Sequence, residues 1–322
     1  MSTNFFALVE DQIQQVEDRM KAQSNGHHPD LRAVLDHLLA SGGKRVRPAV
    51  TLLAGGMLQA DPERLVTLAA AIELLHTATL VHDDLIDGSL LRRGIPTLNA
   101  RWSPAATVLA GDYIFARAAE LAAETNSVRV MKIFAATLAE IVSGEITQLF
   151  TSRGIADREN YYKRIYAKTA SMFVLATKSA ALISPLGEND EVITALHEFG
   201  YELGMAFQMV DDILDFTGEQ ATVGKPVASD LRQGLVTLPA ICFLEANPGD
   251  ADMQAVLEGA YHNEERMARL VSAIRESGAI QQALDEARQC VARGLSSLDG
   301  LPDGPEYQAL HELANYIIDR EI

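Results

Sequence analysis

The chain has 322 residues, 44 acidic against 27 basic, and a formal net charge of −17 at pH 7. A surface of that sign repels phosphate backbones, which excludes nucleic acid as a partner class. The two cysteines, Cys242 and Cys290, can build neither a disulfide framework nor a zinc site.

Nearly half the residues are apolar and only 6% are aromatic, so Leu, Ala, Ile and Val must build a core large enough to stand alone. Length by itself favours two domains, yet no Gly-, Ser- or Pro-rich linker interrupts helical patterning that runs nearly end to end. The expectation is a single all-α domain over residues 1–322, a bundle of antiparallel helices. The stretch MSTNFFALVEDQIQQVEDRM is acidic and amphipathic, unlike a signal peptide. No run of roughly eighteen apolar residues occurs, so no integral membrane segment is expected and the chain reads as soluble and cytoplasmic.

Residues 3–22 read as a first helix and Asp30 to Ala40 as a second, with Pro29 beside its start. Ser41-Gly42-Gly43 ends it, as glycine commonly does past a last turn. Lys44, Arg45 and Arg47 follow at once, and Pro48 sits where the next helix can begin. A short turn with exposed amides and three cations suits an anion; a plain connection with solvated charges is the alternative.

Asp61-Pro62 opens a helix whose Leu65, Leu68, Ile72, Leu75 and Leu80 keep the helical period. It ends in LVHDDLIDGSLLRRGIPT, residues 80–97. Asp83 and Asp87 share one face a turn apart, while Asp84 lies to one side. Carboxylates gathered this way repel one another unless they share a hard cation. Oxygen donors suit Mg²⁺, which keeps several waters and binds through one or two carboxylates plus substrate phosphates. Arg92 and Arg93 are natural partners for such phosphates. His76 falls on nearly the same face two turns earlier, where a ligand contact and a core role are equally open.

Ser103-Pro104 opens the next helix, to about Ala123, and another spans roughly Asn126 to Phe150 with Glu145 on it. A helix from Asn160 to Leu182 holds Lys168-Thr169, where a lysine among small apolar residues needs an anionic partner or a path outward. Glu191 to Phe216 ends in QMVDDILD, and its Asp211, Asp212 and Asp215 repeat the first spacing 128 residues later (211 − 83). Gln208, Asp211 and Asp215 share a face there, and the loop beyond carries Lys225. Helices from 235 onward carry no catalytic constellation. Two acidic helix ends of one spacing, each trailed by cations in apolar surroundings, suit metal-assisted loss of diphosphate to give a carbocation away from water.

The motifs GGKRVRP (42–48), HDDLIDGSLLRRGIPT (82–97), KTA (168–170), FQMVDDILD (207–215) and GKP (224–226) stand in the order and spacing of trans-isoprenyl diphosphate synthases. The chain resembles that family, in its long-chain polyprenyl type, from about residue 42 to 240. The resemblance implies an isoprenoid synthase fold around a deep central cavity, a homodimer, and about three Mg²⁺ ions per active site. It implies that Lys44, Arg47, His76 and Arg93 bind isopentenyl diphosphate. Arg92, Lys168, Thr169, Gln208 and Lys225 would hold an allylic diphosphate. Asp83, Asp87 and Asp211 would bind metal, with Asp84, Asp212 and Asp215 in support. One departure is Leu235, where many members carry a lysine.

The implied reaction is head-to-tail condensation, with an all-trans product of roughly C30 to C50 by the resemblance. The resemblance further implies that the growing chain runs down the helix from the first acidic motif and that bulk four or five positions before the motif blocks it; here those positions, Thr79 and Ala78, are small, and Leu75 lies a turn below. Phe115, Phe134 and Phe150 are candidates for the floor. The alternatives are a shorter-chain farnesyl or geranylgeranyl synthase and a terpene cyclase, which has no use for the GGKR turn. A di-iron bundle needs a second Glu-x-x-His beside Glu73-Leu-Leu-His76. A non-catalytic partner subunit is expected to lack complete acidic motifs.

Overall fold

The computed structural model describes residues 5–23, 29–40, 43–92, 94–151, 154–218 and 227–320. It is 78% helical, as the periodicity predicts. Its helices are α1 (Phe5–Ala22), α2 (Pro29–Ala40), α3 (Val46–Met57), α4 (Pro62–Ile86), α5 (Pro104–Glu124), α6 (Val128–Thr151), α7 (Arg158–Ile165) and α8 (Ser171–Leu182). There follow α9 (Asp190–Thr217), α10 (Ser229–Arg232), α11 (Leu238–Ala246), α12 (Ala251–Leu257), α13 (Glu264–Glu276), α14 (Ala279–Ser297) and α15 (Pro305–Asp319). Two units emerge from the contacts: Met1–Ala136 with Met172–His197 and Gly300–Glu312, and Thr137–Ser171 with Glu198–Asp299 and Leu313–Ile322.

The first unit is built on α4. Asp61 caps its start, accepting from the Arg64 N–H at 2.9 Å, and Pro62 supplies the fixed φ of a first helical position. Ala69, Ala70, Ala71 and Ile72 are all fully buried, so every side of the helix faces protein; a helix apolar all round belongs in a core. It packs along α5, α3 and α1. The Arg64 guanidinium donates to the Thr125 carbonyl at 2.8 Å, fixing the start of α4 against the end of α5.

Two local features differ from the sequence expectation. The basic stretch after α4 is a small antiparallel hairpin, β1 (Leu91–Arg92) with β2 (Ile95–Pro96), Arg92 standing opposite Ile95. Gly94 turns it at φ 77°, a conformation glycine adopts without steric cost. Arg45 is not an exposed cation of an anion cradle. It sits at φ 47°, just before α3, and turns inward, donating to Glu73 at 2.8 Å and to Glu17 at 3.0 Å.

In the second unit, the helix expected from Asn160 to Leu182 is interrupted. Between α7 and α8 lies a π-turn, Tyr166–Ala170, that contains Lys168 and Thr169; such widened turns recur at functional sites. Gly144 on α6 allows the close approach: a Cβ there would lie 2.5 Å from the Cβ of Ala167. Helix α11 packs on α14, α13 and α7, and Arg158 ties this group together by ion pairs to Glu245 (2.6 Å) and Glu286 (2.7 Å).

Among the described residues, α4 and α6 are both long and apolar enough to cross a bilayer, although polar residues such as Glu73 and Glu140 break each into shorter apolar runs. The apolar stretch of α4 is 83% buried inside the protein, that of α6 only 17%. Val142, Ile146, Leu149 and Phe150 lie on one exposed stripe of α6.

The Arg45–Glu73 pair is nearly excluded from water, with side chains 10% and 7% exposed. Removing one partner of such a pair strands the other charge. Glu73→Ala is expected to cost about 3 kcal/mol, the low end for a broken buried pair because Glu17 remains. Urea denaturation of the two proteins measures it, and a loss below about 1 kcal/mol would contradict the pairing.

Candidate active site

The site residues read from the sequence fall into two sets, one in each unit. In the first unit, α4 ends at the first acidic motif, with Asp87 as its C-cap and the Asp87 N–H donating to the Asp83 carbonyl at 2.8 Å. Asp83 is half-buried and Asp87 exposed, whereas Asp84 is buried, 7% exposed. Arg92, carried by β1, takes Asp84 in a fork, Nη2 to Oδ1 at 2.8 Å and Nε to both oxygens at 3.0 Å. The hairpin thus gives the middle aspartate its counter-ion.

Lys44 is exposed, immediately before the inward-turned Arg45. Arg47 and His76 are brought together, Arg47 Nη1 lying 3.2 Å from His76 Nε2. A guanidinium can only donate, so that ring nitrogen accepts and the imidazole proton sits on Nδ1. The Arg47 guanidinium also lies 5.2 Å from the centre of the Phe173 ring. His76 is half-buried and orients Arg47. Arg93 lies outside the described residues, as does Gly42 of the GGKR turn.

In the second unit a chain of hydrogen bonds joins the π-turn to the second acidic motif. Thr169 Oγ1 donates to Gln208 Oε1 at 2.6 Å, and Gln208 Nε2 donates to Asp212 Oδ1 at 2.8 Å. The Tyr161 hydroxyl donates to Asp212 Oδ2 at 2.8 Å. Asp212 is 3% exposed. Burial pushes its carboxyl up to about 7, the charge of Asp230 adds to the rise, and the bonds from Gln208 and Tyr161 oppose it. Burial likewise raises the Tyr161 phenol well above its usual range, with the Asp212 charge adding to it.

Asp215 accepts from Ser229 Oγ at 3.0 Å and from the Asp230 N–H at 3.2 Å, which fixes the start of α10. Asp211, 40% exposed, pairs with Arg320 at 2.9 Å. Lys168 stands 3.2 Å from Glu145, so this lysine has both an anionic partner and, at 39% exposure, a path outward. Lys225 lies outside the described residues.

The two motifs share one plan. The second aspartate of each is buried and held by donors, and the first is partly exposed. Tyr161 and Arg320 escaped the sequence reading, because their partners lie 51 and 109 residues away and no local pattern marks them.

The chain-length positions are all in α4: Leu75 and Ala78 are fully buried and Thr79 is 9% exposed, its hydroxyl donating to the His76 carbonyl at 2.8 Å. Of the floor candidates, Phe134 is buried and Phe115 lies with its ring 5.3 Å from that of His82. Phe150 is 81% exposed near the end of α6.

Residues 28–274 match the Polyprenyl synthetase family. The chain belongs to that family. It is 38% identical to heptaprenyl diphosphate synthase component 2 of Geobacillus stearothermophilus over 317 residues, 98% of each chain. It is 33% identical to octaprenyl diphosphate synthase of Haemophilus influenzae, over 97% of this chain and 95% of that one. Among solved structures, a polyprenyl synthase from Caulobacter crescentus CB15, complexed with calcium and isoprenyl diphosphate, superposes with a TM-score of 0.91 at 35% identity, covering 99% and 97% of the two chains. The all-α fold of the polyprenyl synthetases is thus the fold of this chain.

Tyr161→Phe removes one donor from a buried carboxylate. It is expected to lower stability by about 1–3 kcal/mol, the cost of leaving a buried polar group short of a partner. A thermal unfolding scan tests this, and an unchanged midpoint would mean that the Tyr161 hydroxyl does not hold Asp212.

Proposed function

We propose that this chain is a long-chain trans-polyprenyl diphosphate synthase, condensing isopentenyl diphosphate with an allylic diphosphate to an all-trans product of about C30–C50. The heptaprenyl, octaprenyl and decaprenyl names of its relatives all fall within that range. The observation that carries the proposal is the shared plan of the acidic motifs, an anchored inner aspartate beside outer ones free of that burial.

The donor set fits Mg²⁺. Asp83, Asp87 and Asp211 offer oxygen only; Asp83 and Asp87 also stand at the end of α4, where the dipole is negative and the last turn holds no basic residue. Asp211 already accepts from a cation, the Arg320 guanidinium. Among the described residues no three His, Cys, Asp or Glu side chains converge to cage a metal, and Mg²⁺ needs none, since it binds through one or two carboxylates with waters and phosphates. Bound there, Mg²⁺, in about three copies, would offset the charge that builds on a departing diphosphate.

The residues of the chain then divide the work. Lys44 and Arg47, the latter oriented by His76, with Arg93, hold isopentenyl diphosphate. Lys168, Thr169 and Gln208, with Arg92 and Lys225, hold the allylic partner. The allylic C–O bond breaks and its electron pair leaves with the diphosphate. The π electrons of isopentenyl diphosphate form the new C–C bond, and a C2 proton passes to a diphosphate oxygen, which restores an allylic diphosphate. No side chain is needed as the base.

The exposed stripe of α6 supports a homodimer, since apolar faces of this kind mark protein partners. The name component 2 carried by one relative favours a second reading, in which the partner is a different chain. Light scattering decides: the purified chain is expected to be a dimer that Ile146→Glu splits. A monomer that becomes active only on adding another chain would favour the second reading, and partition into lipid vesicles would defeat both.

Asp83→Ala and Asp211→Ala are each expected to lower kcat about 10²–10³-fold, as loss of one transition-state contact does, with the circular dichroism spectrum unchanged. Lys44→Ala and Arg47→Ala should mainly raise KM for isopentenyl diphosphate, and Lys168→Ala and Lys225→Ala that for the allylic substrate. Near-normal turnover in either aspartate variant would sink the two-motif assignment, and equal KM effects on both substrates would sink the division between sites.

Ala78→Phe or Thr79→Phe should shorten the product towards about C15–C20, because a packed interior yields little to added volume. Chain-length analysis after incubation with farnesyl diphosphate, isopentenyl diphosphate and Mg²⁺ reads it. Wild-type product length from the double variant would show that the chain does not grow along α4.

A further inference from the structure

The guanidinium of Arg320, which follows α15, is 9% exposed and has four partners. Nη1 donates to Asp211 Oδ1 at 2.9 Å, Nη2 to the Phe207 carbonyl at 3.0 Å and Nε to the Ile317 carbonyl at 3.2 Å. Its carbon lies 4.0 Å from the centre of the Phe207 ring. We propose that Arg320 is the resident counter-ion of Asp211, and that a divalent cation must break this ion pair to use the carboxylate. The inference rests on the metal role given to Asp211 above.

Asp211 Oδ1 cannot serve both cations at full strength. A divalent ion bound to that carboxylate would stand within a few ångströms of a fixed positive charge, and the repulsion weakens its binding. The exchange is nonetheless cheap for the arginine. Two carbonyls and the Phe207 ring do not depend on the carboxylate, so the guanidinium keeps three of its four partners when Asp211 turns away. The arginine therefore stabilises the carboxylate while no metal is bound and sets the concentration of divalent cation needed to load it. It also carries that control from α15 to α9 across 109 residues of sequence.

Mn²⁺ is the probe, its free concentration followed by electron paramagnetic resonance with the full-length protein. Arg320→Gln is expected to bind Mn²⁺ roughly three- to ten-fold more tightly, the range a charge-assisted bond in a partly exposed site supplies. Combined with Asp211→Asn, the same substitution should change nothing, since the coupling belongs to the pair. Unchanged or weaker binding by Arg320→Gln, or equal tightening with and without Asp211, would overturn the proposal. Binding indifferent to Asp211→Asn itself would overturn the metal role of Asp211, and with it the inference. Should Arg320→Gln fail to fold, Arg320→Lys, which keeps the charge but loses the fork, should tighten binding by a smaller factor, and wild-type affinity there would count against the pairing.

Discussion

Negative charge placed at the negative end of a helix is the constraint on which this structure turns. Helices α4 and α9 each carry three aspartates within five residues near their ends and no basic residue in the last turn, so the carboxylates press on one another and those of the last turn also feel the helix dipole. The protein divides each motif to bear this. Asp84 and Asp212 go inside, where every lone pair must find a donor. Arg92 meets the first and Tyr161 with Gln208 the second. The outer aspartates stay where a cation can reach them.

That division explains features which otherwise look incidental. Arg92 reaches Asp84 because the chain reverses at Gly94, so a two-residue hairpin exists to deliver one side chain. Gln208 reaches Asp212 from one turn earlier on α9, while its carbonyl oxygen is fixed by Thr169 in the π-turn. Ordinary helical winding through 166–170 would rotate Lys168 and Thr169 together, so the widened turn sets where both point. Neutral donors suit Asp212, whose carboxyl burial has already raised to about 7: a second buried charge would itself need desolvating. Burial thus sets Asp84 and Asp212 apart from the more exposed aspartates of each motif.

The helices were legible because their signals are local. Pro after Asp61 and Ser103, the glycine at 43, and apolar spacing placed most ends within a few residues, and the doubled DDxxD named the aspartates. What stayed hidden depends on distant partners. Arg45 reads as one more cation in a basic turn, and only Glu17 and Glu73, 28 residues to either side, turn it inward. The π-turn has no sequence signal beyond a small-residue run, since Gly144 on another helix makes room for it. Arg320 lies in the part beyond residue 235, where the sequence shows no catalytic constellation. The exposed stripe of α6 was missed because its apolar residues are interspersed with small and charged ones, so no continuous run announces it.

Helix α4 joins the site to the core. Its run of alanines and threonines lets α1, α3 and α5 approach closely, and the short side chains of Thr79 and Ala78 stand about one turn before Asp83. Substitution there acts twice, on the space beside the motif and on the packing of the unit, where overfilling costs about 1–3 kcal/mol. Burial ranks the two positions. Ala78 is fully buried and must displace protein to admit a ring, while Thr79, 9% exposed, has an edge open to something other than its own chain. Added bulk at Thr79 therefore displaces less of the protein's own packing than at Ala78.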